Sequence, residues 1–112
     1  MEAIPREIRN YITSDGHVPF KEWLDSLKDS KAQTVVINRL NRVLLGNFGD
    51  CKHLGEGVYE LRIHYGPGYR VYFGELEGVI VILLCGGTKR SQSGDIKRAK
   101  EYWLELRDRN YE

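Results

Sequence analysis

Between Tyr59 and Phe73 the chain reads YELRIHYGPGYRVYF, two short runs of alternating apolar and polar residues broken by Gly66-Pro67-Gly68. Alternation with a period of two marks a half-buried strand, and a Gly/Pro break between two such runs predicts a hairpin. Tyr59, Leu61, Ile63 and Tyr65 make the apolar face. A turn that pairs Tyr65 with Tyr69 sets Ile63 opposite Val71 and Leu61 opposite Phe73. The same register gathers Arg62, His64, Arg70 and Tyr72 on the other face.

The rest of the chain divides by the same reading. Glu7 to Thr13 alternates loosely and predicts an edge strand, closed by the turn Ser14-Asp15-Gly16. Pro19 suits the first position of a helix, where its missing N–H costs nothing. Phe20, Trp23, Leu24 and Leu27 then fall on one helical stripe that ends near Lys28. Asp29-Ser30 opens a second helix, from about Lys31 to Leu45. Ala32, Val35, Val36, Leu40, Val43 and Leu44 form its inward face, with Arg39 and Arg42 turned away.

Strands are predicted at Cys51–Leu54, Tyr59–Tyr65, Tyr69–Gly74 and Val79–Cys85, the last apolar throughout and therefore covered on both sides along at least part of its length. Glu77-Gly78 is a hairpin turn. A polar loop, Gly86 to Asp95, leads to a last helix from about Asp95 to Arg107, with Ile96, Ala99, Trp103 and Leu106 as its core stripe. No repeat or linker interrupts the order, so residues 1–112 read as a single α+β domain.

Composition adds exclusions. A chain of 112 residues with 41% hydrophobic and 29% charged residues can build one core without metal or disulfide support. The longest apolar run is too short to span a bilayer, and MEAIPREIRNY has no apolar segment of signal-peptide length, so a cytoplasmic protein is expected. Cys51 and Cys85 lack any CxxC or Cys/His spacing and read as free thiols. The scattered His17, His53 and His64 suggest no metal site, and no cofactor motif is present. Net charge is only +1, from 17 basic and 16 acidic residues, which is low for a dedicated nucleic-acid binder. Yet Lys89 to Arg109 holds seven basic against four acidic residues, a local positive surface.

The candidate chemistry lies in two places. Two guanidiniums on neighbouring strands repel unless an anion or a carboxylate sits between them. Glu60 and Glu75 are carboxylate candidates, which would make an ion-pair network; a phosphate is the functional candidate, because the arginine fork matches its oxygens. The second place is the loop GGTKRSQSGD, Gly86 to Asp95, which leaves a buried strand carrying Lys89 and Arg90. Ser93 or Asp95 fits a helix N-cap there, and a cationic loop ending at a helix N-terminus also suits an anion.

PFKEWLDSL (Pro19 to Leu27), YELRIHYGPGYRVYF and LLCGGTKRSQSGDIKRAKEYW (Leu83 to Trp103) together resemble the RelE/ParE superfamily of bacterial toxins, in its HigB-like, phage-Gp49-like branch. The resemblance covers almost the whole chain. It implies a RelE-like fold, a twisted antiparallel sheet with two N-terminal helices packed on one side and a C-terminal helix. It also implies a metal-independent endoribonuclease that cuts mRNA on the ribosome by attack of a 2′-OH on the adjacent phosphate. A cognate antitoxin, a helix-turn-helix protein, would be the partner. Carried onto this chain, Arg62, Arg70 and Lys89 are the expected catalytic cations, with Arg90 beside them. From strand register His64 joins the catalytic set and Tyr72 the RNA-binding surface, to which Arg90 and Gln92 also belong; Gln92 and Asp95 match the branch pattern. Relatives place a tyrosine or histidine near the C-terminus, for which Tyr102 and Tyr111 are the candidates. Glu60 stands where RelE-type nucleases often carry lysine. A ParE-like inhibitor of DNA gyrase, or a toxin acting only through its antitoxin complex, is the alternative expectation.

Overall fold

The computed structural model describes residues 3–110. A five-stranded sheet in the order β1-β5-β4-β3-β2 forms its centre. The strands are β1 (Glu7–Asn10), β2 (Cys51–Gly55), β3 (Val58–Ile63), β4 (Tyr69–Leu76) and β5 (Ile80–Thr88). β1 runs parallel to β5 at one edge, and all other pairings are antiparallel. Helices α1 (Pro19–Ser26) and α2 (Ser30–Leu44) cover one face, and α3 (Gln92–Asn110) covers the other. This is the α+β architecture the sequence predicts. Among the described residues no helix is long and apolar enough to cross a membrane.

The helical hairpin forms where capping and periodicity place it. Asp29 accepts a hydrogen bond from the Lys31 N–H and starts α2. The Gln33 side chain reaches back to the carbonyls of Leu24 and Leu27 at the end of α1, where the Leu24 carbonyl also accepts from the Leu27 N–H. Phe20, Ala32, Val36 and Val43 are buried against Leu61, Val71, Phe73, Val81 and Leu83 of the sheet. Two expectations for α2 are corrected. Leu44 is 40% exposed, because the buried stripe runs through Ala32, Val36, Arg39 and Val43 and leaves the next residue about 100° round the helix. Arg39 is buried, not turned outward: its guanidinium donates to the carbonyls of Phe48, Asp50 and Arg62. One side chain thus fixes the α2–β2 connection against the end of β3.

On the opposite face Val58, Tyr72, Ile82, Leu84 and Cys85 pack against Ala99 and Trp103 of α3, with Ile96 and Leu106 partly buried beside them. β5 serves both cores, as its unbroken apolar run predicts. A bulge makes this possible: Tyr72 pairs with Cys85 but Phe73 pairs with Leu83, so Leu84 is an extra residue. The phase of β5 therefore flips, and Gly86 faces α1 while Gly87 faces α3. A Cβ on Gly86 would lie 2.3 Å from the Trp23 ring, and one on Gly87 would collide with Asp95. The paired glycines of the GGTKR loop are thus the gaps through which both helical layers approach the sheet.

The β3–β4 register differs from the expected one by two residues. Ile63 pairs with Tyr69, Leu61 with Val71 and Tyr59 with Phe73. The loop takes five residues, His64 to Gly68, so β3 ends earlier than its alternation suggests. A shift of two keeps every side chain on its predicted face but changes each neighbour.

Gly74 carries a strong packing constraint. A Cβ there would lie 2.4 Å from the buried Trp103 ring. Gly74→Ala is expected to cost about 2 kcal/mol by overpacking. Gly94→Ala, in α3 with nothing within 4 Å of its Cβ position, is expected to stabilise by about 0.5 kcal/mol. Urea denaturation of the two variants checks the opposite signs.

Candidate functional site

The corrected register places Arg62 directly across from Arg70, and Arg70 across from Gly87. One rung along, Lys52, Glu60, Tyr72 and Cys85 face each other across four strands. The two rungs lie on the α3 face, at the end of the sheet where α3 begins. Gly87 contributes no side chain to its rung, and Ser91 and Asp95 fill the space over it.

Glu60 occupies the centre of this cluster. Its side chain is fully buried. Arg62 Nε donates to Glu60 Oε1 at 2.9 Å, and Arg70 Nε lies 3.8 Å from Oε2. The Gln92 amide, on the first residue of α3, donates to Oε2 at 2.9 Å. Glu75, the other carboxylate considered, instead pairs with Arg6. Burial alone would raise the Glu60 pKa, but the hydrogen bonds of Arg62 and Gln92 and the charge of Arg70 outweigh it and hold the carboxyl below its usual range. The ion-pair network anticipated between the arginines is therefore present, with its carboxylate inside the fold.

The remaining site expectations divide. Arg62 and Arg70 keep 32% and 11% of their side-chain surface exposed. Lys89 and Arg90 are exposed on the short 3₁₀ turn Lys89–Ser91, and the Lys89 N–H donates to the Gly68 carbonyl at 2.9 Å. That bond brings the GGTKR loop against the β3–β4 turn, so the two cationic regions adjoin. His64 is exposed in the turn, and its Nε2 lies 2.6 Å from Asp50 Oδ2. Asp50 precedes β2 and its carbonyl accepts from the Arg62 N–H, so the imidazole is tethered beside the arginine rung.

Tyr72 does not present a ring to a ligand, as an open polar face would require. It is fully buried beneath α3, and its hydroxyl closes no well-aligned hydrogen bond. Burial, with the Glu60 carboxylate nearby, pushes its pKa far up. Gln92 is half-buried and engaged with Glu60. The polar face is not open because α3 closes over most of it, leaving only the arginine end accessible. Ser93 is an exposed helical residue and not the cap. The turn into α3 is closed by Thr88 and Ser91, whose hydroxyl also donates to the buried Asp95 carboxylate.

Tyr102 stacks on Tyr11, with ring centroids 4.9 Å apart, roughly 15 Å along α3 from Gln92. It therefore lies away from the arginines, and Tyr111 falls outside the described residues. Both cysteines are free, and burial pushes their thiols up, to about 11 for Cys51 and about 12 for Cys85, which disfavours thiolate chemistry near neutral pH. Among the described residues no group of three His, Cys, Asp or Glu side chains converges to hold a metal.

Sequence reasoning placed Glu60 among possible ion-pair partners but missed its central position, and it missed Asp50 and Lys52 altogether. The signal for Glu60 was a charged residue between Tyr59 and Leu61 that needed the correct register to become the counterion of both arginines.

A layered α+β domain with two arginines and a buried carboxylate at one sheet end is the class these features define. The chain belongs to the phage-derived Gp49-like family (DUF891), whose model matches residues 22–107. It is also 51% identical over 87 residues to a protein of Haemophilus influenzae described as uncharacterized, covering 78% of this chain and 88% of that one.

Glu60→Ala leaves two arginines facing each other without a counterion and is expected to destabilise the fold by about 3 kcal/mol in urea denaturation. Glu60 also sets an acid limit. Its folded pKa lies below the ordinary value of 4.5, so its contribution is complete above that value and is lost as pH falls through the folded one. The stability difference between wild type and Glu60→Gln should accordingly be largest near neutrality and shrink below pH 4.5. A difference that grows on acidification would contradict the assignment.

Proposed function

We propose that this protein is the toxin of a type II toxin–antitoxin pair, in the HigB-like branch of the RelE/ParE superfamily, and that it cleaves mRNA on the ribosome. The observation that carries the reading is the Arg62–Arg70 rung, adjoined by Lys89 and Arg90 at the accessible end of the sheet. Membership of the phage-derived Gp49-like family supports it.

The chemistry is in-line attack of a ribose 2′-OH on its own 3′-phosphate. The O2′–P bond forms as the P–O5′ bond breaks, leaving a 2′,3′-cyclic phosphate and a 5′-OH end. Negative charge accumulates on the phosphoryl oxygens in the transition state, and fixed cations stabilise it there more than in the ground state. Arg62 and Arg70 take that role, with Lys89 and Arg90 holding the flanking backbone. His64, oriented by Asp50, receives the 2′ proton, and solvent protonates the leaving O5′. Gln92 acts from beneath the surface, through Glu60, and Tyr72 packs beside it, neither of them touching RNA bases.

An antitoxin encoded beside the toxin, a small helix-turn-helix protein, completes the system. It would act by occluding the cationic end or by stopping the protein from entering the ribosome.

The test is cell-free translation of a defined message, read by primer extension, with wild type and Arg70→Ala. Wild type is expected to introduce cuts within the reading frame, and Arg70→Ala to reduce their rate by about 100-fold or more. A message left whole by wild type, where a known interferase cuts, would remove the nuclease reading. Inhibition of gyrase supercoiling would then assign the ParE-like activity instead.

A further inference from the structure

The guanidinium contacts of Glu60 are selective. The carboxylate accepts a hydrogen bond from the Nε of Arg62, and its other oxygen lies 3.8 Å from the Nε of Arg70, an ionic contact that leaves this buried Nε–H without a hydrogen bond. Each guanidinium also carries four N–H donors on its two terminal nitrogens. Among the described residues these terminal groups make no hydrogen bond on either arginine, and both side chains keep some exposure. A carboxylate that served only to neutralise charge would be equally served by a fork-to-fork pair with one arginine. Here a single buried carboxylate spans two arginines by their inner edges, and Gln92 of α3 fixes it from above.

We infer that Glu60 is a positioning residue, which holds the Arg62 and Arg70 guanidiniums so that their terminal N–H groups face a single phosphodiester. The inference rests on the nuclease reading and deepens it. Arginine side chains have many rotamers, and ordering two of them on each binding event would weaken every contact they make. Glu60 removes that freedom beforehand. Its own freedom is removed in turn by burial and by the Gln92 amide, so the position of α3 is transmitted to the arginines. The arrangement leaves the pair with one net positive charge, so what it offers the phosphate is geometry more than field strength.

Positioning and neutralisation predict opposite results. Glu60→Gln is nearly isosteric and removes a negative charge beside the arginines. If Glu60 only neutralised them, the variant would bind RNA more tightly and cut at least as fast. With a positioning role, kcat falls about tenfold or more while KM stays level or drops. Glu60→Asp separates the cases further, because it keeps the charge but draws the carboxylate back by one methylene. It is expected to be as slow as Glu60→Gln. Gln92→Ala, which keeps Glu60 itself, is expected to lower kcat by about threefold in the same direction.

The experiment is kinetic comparison of these variants on one message, alongside NMR of the arginine Nε–H groups, assigned with Arg62→Lys and Arg70→Lys. In wild type a slowly exchanging, hydrogen-bonded Arg62 Nε–H and a second Arg70 Nε–H protected by burial are expected, and Glu60→Gln should broaden or lose both. Unchanged kcat in Glu60→Gln, or wild-type kcat in Glu60→Asp, overturns the inference. Should wild type cut nothing, the nuclease reading fails by itself. The NMR arm then still decides whether Glu60 fixes the two guanidiniums, and identical Nε–H signals in wild type and Glu60→Gln refute it.

Discussion

A carboxylate without access to water sits between two guanidiniums, and much of the α3 side of the sheet is arranged around that fact. Burying an isolated Glu60 would cost several kcal/mol, and burying Arg70 unpaired would cost a similar amount. Together they are tolerable only if register, rotamers and the covering helix all agree. β3 and β4 must pair Glu60 with Tyr72 and Arg62 with Arg70, and α3 must bring Gln92 onto the carboxylate. A slip by one residue would turn the polar pair of one of the two strands into the apolar core beneath α1 and α2. The ion cluster therefore gives the hairpin a strong preference for one register, in addition to whatever it does for a ligand.

The approach of the helices to the sheet depends on side chains that are missing. Gly74 admits the Trp103 ring, Gly86 the Trp23 ring, and Gly87 the Asp95 carboxylate. The bulge at Leu84 decides which of the last two glycines serves which face. Shorter approach distances follow, and the first turn of α3 reaches the arginine rung instead of standing off it. The Ser91–Asp95 bond and the Lys89–Gly68 bond then secure the loop on either side. Core packing and site geometry are here one construction, and Arg39 plays the matching part at the other end of the rung by fixing Asp50 and the end of β3.

Much of this was legible in the sequence. Strand alternation, the Asp29 cap, the Glu77-Gly78 turn and the α3 stripe each follow from local chemistry, and each appears in the fold. The face of every β3 and β4 residue was also legible, because parity survives a shift of two. Partner identity was not, since it depends on how many residues the turn consumes, and His64 and Tyr65 read as strand while belonging to the loop. Burial of Tyr72 and Arg39 was hidden for a different reason. A polar or amphipathic residue becomes interior only when a distant element covers it, and nothing in the local pattern of β4 announces α3, nor does α2 announce the carbonyls that Arg39 collects.

The nearly neutral charge of the chain fits this construction. A protein that gripped nucleic acid through its overall field would need an excess of basic residues, and 17 against 16 supplies none. On the inference drawn above, what the chain offers instead is a small number of cations whose positions are fixed before a ligand arrives. Half of the local charge on the arginine pair is cancelled by Glu60, which weakens long-range attraction but leaves the short-range donors in place. On the proposed reading such a centre would discriminate by shape, favouring a tetrahedral oxyanion able to reach two guanidiniums at once over a diffuse polyanion, which is the requirement of a catalytic phosphate site and not of a general nucleic-acid surface.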